Sequence, residues 1–133
     1  DISEYGSTEN QEKNNEISED IMTQTYELET TVRVNGGISR VIEYGLPHRF
    51  DMSVKIHDEY NREALQSTFI YMITADDLDV DNLPPSMKLT FNDKVAIVSF
   101  DIIPKKLGET KMHVDLFQNF SVADSFEISF IVK

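Results

Sequence analysis

From residue 24 onward the chain alternates apolar and polar side chains in the pattern of strands that bury one face. Tyr26, Leu28, Thr30, Val32 and Val34 interleave with Glu27, Glu29, Thr31 and Arg33. Asn35-Gly36-Gly37 follows and predicts a tight hairpin, because primed turns need positive φ, leading into a second strand from Ile38 to about Tyr44. Gly45-Leu46-Pro47 breaks that strand. Phe50, Met52, Val54 and Ile56 alternate with Asp51, Ser53, Lys55 and His57. The stretch Thr68 to Thr74 is apolar on both faces and predicts a central strand. Ala75 to Pro85 reads as a long acidic loop, and Met87, Leu89 and Phe91 lead from it to a turn at Asn92-Asp93. A nearly continuous apolar run, Val95 to Ile102, comes next. Met112, Val114 and Leu116 form one more alternating set, Gln118-Asn119 turns the chain, and Phe126, Ile128, Phe130 and Val132 form the last.

Seven to eight short strands with closely spaced turn signals, and no stretch of helical period, predict an all-β antiparallel sandwich or barrel. Val54 and Ile128 are expected core positions. Tyr26, Tyr44 and Tyr71 fall in strands as core or face residues, and Tyr60 falls in a polar loop with its ring exposed.

Residues 1–23 break the pattern. They carry seven acids and one base, have few apolar positions, and read as an acidic linker or disordered arm before a single domain at 24–133. The strand that runs to the last residues reads as the end of a domain cut from a longer chain. The whole sequence has 24 Asp and Glu against 12 Lys and Arg, a net charge of −12. Affinity for polyanions comes from Lys and Arg neutralising phosphates, so nucleic acid and anionic membrane surfaces are not expected partners. No run of apolar residues is long enough to insert into a membrane as a helix. The absence of cysteine removes disulfides, zinc-thiolate sites and a cysteine nucleophile.

Three stretches in the second half resemble the dystroglycan-type cadherin-like repeats, within the wider Ig-like group. Leu83-Pro84-Pro85-Ser86-Met87-Lys88-Leu89 is similar to that family's Leu-Pro step into a strand. Ile103-Pro104 through Leu107-Gly108-Glu109-Thr110 is similar to its Pro-containing turn, whose Gly opens the penultimate strand. Ser121 to Ile128 is similar to its closing strand. The match covers residues 83–133 well and 46–82 loosely. The resemblance implies an Ig-like or cadherin-like sandwich in an extracellular or cell-surface protein, acting as an adhesion or spacer repeat. It departs from calcium-dependent cadherins, because Asn61-Arg62-Glu63 is only faintly similar to one of their end motifs and Asp79-Val80-Asp81-Asn82 lies mid-domain.

The candidate chemistry is sparse. Asp76, Asp77, Asp79 and Asp81 form an acidic stretch whose alternate carboxylates would suit calcium, a cation that takes six to eight oxygens. The EF-hand pattern fails there, since its glycine and glutamate positions hold Asn82 and Lys88. Asn119-Phe120-Ser121 is an N-glycosylation sequon on a turn. His48, His57 and His113 are scattered and read as surface residues rather than a zinc set. There is no nucleophile elbow, no phosphate loop and no tryptophan to line a sugar cleft. The expectation is a non-enzymatic structural or adhesion repeat with no cofactor other than calcium at that stretch, and with other protein domains or neighbouring repeats as partners. The alternatives are a calcium- or carbohydrate-binding module and an accessory interaction domain of an enzyme.

Overall fold

The computed structural model describes residues 21–24, 28–57 and 68–133. They form nine strands: β1 (Ile21–Gln24), β2 (Leu28–Val34), β3 (Val41–Ile42), β4 (His48–Ile56), β5 (Phe69–Ala75), β6 (Leu78–Asp81), β7 (Val95–Pro104), β8 (Gly108–Gln118) and β9 (Ser121–Val132). A five-stranded sheet, β1-β2-β4-β7-β6, faces a four-stranded sheet, β3-β9-β8-β5. Every strand pair is antiparallel except β3 with β9. Taken in chain order, β2-β4-β7-β6 against β9-β8-β5 is the ABED and GFC arrangement of an Ig-like sandwich. No helix among the described residues is long and apolar enough to cross a membrane.

The core is built from the apolar positions of the alternating segments. Leu28, Val32 and Val34, then Phe50, Met52, Val54 and Ile56, bury one face of the five-stranded sheet. Met112, Val114 and Leu116 with Phe126, Ile128 and Phe130 bury the opposing face, so both Val54 and Ile128 sit where the period places them. Each fully buried Leu, Ile, Val, Met or Phe contributes about 1.5–3 kcal/mol relative to exposure. Phe50 and Phe100 stand opposite each other in register and stack at 4.8 Å between ring centroids.

Several elements differ from the sequence reading. Ile21–Gln24 pairs with β2, so the sheet begins three residues before the expected domain start, and residues 1–20 of the acidic arm lie outside the described residues. The Asn35-Gly36 turn forms, with φ of 53° and 80° and both Val34–Gly37 backbone hydrogen bonds. The strand expected after it does not pair back on β2. Only Val41 and Ile42 are extended, and they join the other sheet beside β9. Tyr44 consequently lies in an exposed turn. The expected acidic loop contains β6, because Leu78 is buried and Leu78–Asp81 pairs with Asp101–Pro104 of β7. Among the described residues β5 is the last strand of its sheet rather than a central one, with a short bridge from Ile70 to Lys88 on its outer side. Tyr60 and Asn61-Arg62-Glu63 lie outside the described residues.

Candidate interaction surface

Among the described residues the β8–β9 hairpin carries an exposed apolar surface. Its turn residues are Asn119 and Phe120, with φ of 51° and 79°, so both adopt the left-handed conformation of a primed turn. Asn119 suits that region, and its side chain fixes the turn to the start of β5. The Asn119 backbone N–H donates to the Thr68 carbonyl at 2.9 Å, and the Thr68 backbone N–H donates to Asn119 Oδ1 at 2.9 Å. Phe120 occupies the position where a primed turn favours glycine, and its side chain is 100% exposed.

A register shift between Leu116 and Phe117 marks a bulge just below the turn. The extra residue is in β9, so Val122 turns onto the outer face opposite Phe117, which faces outward by alternation with buried Leu116, and Ile70 of β5 lies next to Phe117 on its other side. Ile70, Phe117 and Val122 thus form an apolar row across three strands. Val122 is 60% exposed, and Met72, in the next row, is 53% exposed. The doubly apolar pattern of β5 is explained here: its second face is part of this surface patch, not a buried layer.

Met72 pairs with Asp115, and Asp115 pairs with Ser125. Around them lies a small polar cluster. The Ser125 hydroxyl donates to Asp115 Oδ1 at 2.6 Å, and His113 Nε2 lies 3.0 Å from the same oxygen and 2.9 Å from Ser125 Oγ. The hydrogen bond from Ser125 is the main cause that holds the Asp115 carboxyl below its ordinary range; burial opposes it, and the contact with His113 adds to the lowering. The residue types are those of a hydrolase triad, but the arrangement is not. Serine and aspartate meet the same imidazole nitrogen, whereas a relay needs one at each nitrogen.

The acidic stretch is spread over several environments. Asp76 and Asp77 form the β5–β6 turn, where the Asp76 carbonyl accepts the Thr110 hydroxyl and the Asp77 carbonyl accepts the Lys105 N–H at 2.8 Å. Asp79 and Asp81 project outward from β6, and Asp79 pairs with Lys105 at 3.3 Å. Among the described residues no three of His, Asp and Glu gather where they could hold a metal ion. The sequon residue Asn119 is exposed at the hairpin turn. His48 begins β4 and bonds Asn35 Nδ2 at 2.9 Å, on the sheet opposite His113. A polar depression of about 320 Å³ lies along β7, lined by Arg49, Asn82, Ser99 and Asp101 among others. Its polar groups are engaged: Arg49 Nε donates to the adjacent Asp51 at 3.0 Å, and Asn82 Nδ2 donates to Asp101 at 2.6 Å.

No family model matches the chain, and no curated protein matches it in sequence. Solved structures with a similar backbone include the GAE domain of GGA2p from Saccharomyces cerevisiae, at 16% identity and a TM-score of 0.47 over 87% of this chain and 97% of that one. A CARDB domain from Pyrococcus furiosus aligns at 14% identity and a TM-score of 0.45, over 84% of this chain and 100% of its own. A C. elegans member of the MSP family aligns at 8% identity and a TM-score of 0.44, over 77% and 97%.

Proposed function

We propose that this domain is a non-enzymatic interaction repeat that engages other protein domains or neighbouring repeats through the β8–β9 end of its four-stranded sheet. The observation that carries this reading is the wholly exposed Phe120 beside the apolar row Ile70, Phe117 and Val122. Contiguous exposed apolar surface on a soluble domain marks an interaction site, and aromatic residues are enriched in the buried centres of interfaces. The resemblance of residues 83–133 to dystroglycan-type repeats supports the finer reading of an adhesion or spacer unit in a larger extracellular or cell-surface protein. The exposed sequon at Asn119 fits that compartment.

The test is affinity capture from extracts of the source organism, using the wild-type domain and the Phe120→Ser variant as matched baits. A protein retained by the first and lost from the second supports the reading. Identical capture by both baits would sink it, since Phe120 has no core packing to lose.

A further inference from the structure

A cleft on the open side of the sandwich complements this hairpin. β6 pairs only with Asp101–Pro104 of β7, and Val95 closes back onto Asn92. Between these points, among the described residues, β7 has a strand partner on its β4 side alone. The connection 82–94 arches over the gap and is tied to β5, where the Tyr71 N–H donates to the Met87 carbonyl at 3.0 Å and the Leu89 N–H to the Phe69 carbonyl at 2.8 Å. The space left is a cleft of about 220 Å³, lined by Tyr71, Pro84, Pro85, Lys88, Ile97 and Val98 among others.

Four properties of this cleft point to an occupant. Its walls are mostly apolar and include Ile97, 69% exposed although it lies mid-strand. Its size suits one aromatic ring, since an apolar cavity of roughly 150 Å³ holds benzene. The Tyr71 hydroxyl is buried and has no hydrogen-bond partner among the described residues. Burial pushes its phenol up from the ordinary value, so it is a protonated donor in need of an acceptor. The charged residue in the lining is Lys88, in a chain with twice as many acids as bases. The β8–β9 hairpin has the opposite character: a fully exposed phenyl ring on strands carrying Asp115 and Asp124.

We propose that the cleft receives Phe120 of a second copy of this domain, with Lys88 facing the acidic strands of the incoming hairpin. This rests on the reading of the hairpin as an interaction surface and names its partner. Ring and cleft are different surfaces of one molecule. The contact therefore closes as a reciprocal pair or a ring, or else propagates along a row of repeats. A backbone carbonyl of the entering turn supplies the acceptor that Tyr71 lacks.

Sedimentation of the whole chain from micromolar to millimolar concentration tests this. The wild type is expected to gain mass with concentration, and Phe120→Ser to remain monomeric throughout. Lys88→Glu, an exposed change that leaves the core untouched, should weaken association at least tenfold at low salt, with the difference shrinking at high salt. Tyr71→Phe should fold normally and associate more weakly. A wild type that stays monomeric to millimolar concentration overturns the inference, as does association that Phe120→Ser leaves unchanged. Neither result touches the broader interaction reading, which the Phe120-dependent capture decides.

Discussion

Phe120 is a residue in an unfavourable place. An L-residue with a side chain at φ near 79° carries left-handed strain of roughly 1–2 kcal/mol, and full exposure gives it no packing in return. Phe120→Gly should therefore stabilise the domain by about 0.5–1 kcal/mol, the strain relieved less the added freedom of the unfolded chain. Urea denaturation would show it as a higher midpoint at unchanged slope. A lower midpoint would mean that the ring makes a stabilising contact in solution. Asp115 gives a prediction in pH. Its folded-state value is depressed, chiefly by the Ser125 hydroxyl, so the folded state favours the ionised form. The resulting stability is fully present above the ordinary carboxylate value of about 3.9 and is lost as pH falls through the folded value. Asp115→Asn should thus lose less stability than the wild type between neutral and strongly acidic pH, and Ser125→Ala should remove much of the contrast. Parallel curves for wild type and Asp115→Asn would show that the carboxylate is not linked to folding.

Among the elements, β4 and β7 form the centre of the five-stranded sheet, and their Phe50–Phe100 stack joins burial to a cross-strand ring contact. Phe50→Ala should cost about 3–5 kcal/mol, read from chemical denaturation. A loss below about 1 kcal/mol would show that the neighbouring Met52 and Ile102 collapse into the space. Ile128→Lys places a charge without a partner between the sheets and should abolish cooperative unfolding altogether. Alternation made both positions legible, because a strand's side chains report directly which face is buried. A run apolar on both faces, as in β5, predicts a central strand, yet β5 lies at the edge. Two apolar faces look alike in sequence whether the second meets another layer or solvent.

For the whole molecule, the net charge of −12 favours stabilisation by any salt through screening. Calcium stabilisation beyond that would need converging ligands. Asp76, Asp77, Asp79 and Asp81 are divided between a turn and the outer face of an edge strand, with Asp79 paired to Lys105. The expected result is a melting temperature in millimolar calcium no higher than in sodium chloride of equal ionic strength with EDTA. A specific rise that Asp79→Asn with Asp81→Asn removes would establish a site there, since saturation at a hundred times Kd adds about 2.7 kcal/mol.

The sequence alone determined the strand class, most of the strands, the turn at Asn35-Gly36 and the inward faces, while the turns expected at Asn92-Asp93 and Gln118-Asn119 each form one residue later, at Asp93-Lys94 and Asn119-Phe120. All of these depend on neighbours close along the chain, on side-chain alternation and on residues that tolerate positive φ. Gly108 opens β8 at φ 97°, where the Pro-to-Gly turn placed it. Only the tertiary structure decided which strand lies beside which: that β3 leaves β2 for β9, that β6 forms inside an acidic stretch, and that β5 ends a sheet. It alone also brought Ile70, Phe117 and Val122 into one row, and Tyr71, Lys88 and Ile97 around one cleft. These residues lie far apart in the chain, and their meeting depends on sheet order, which hydrophobic periodicity does not encode.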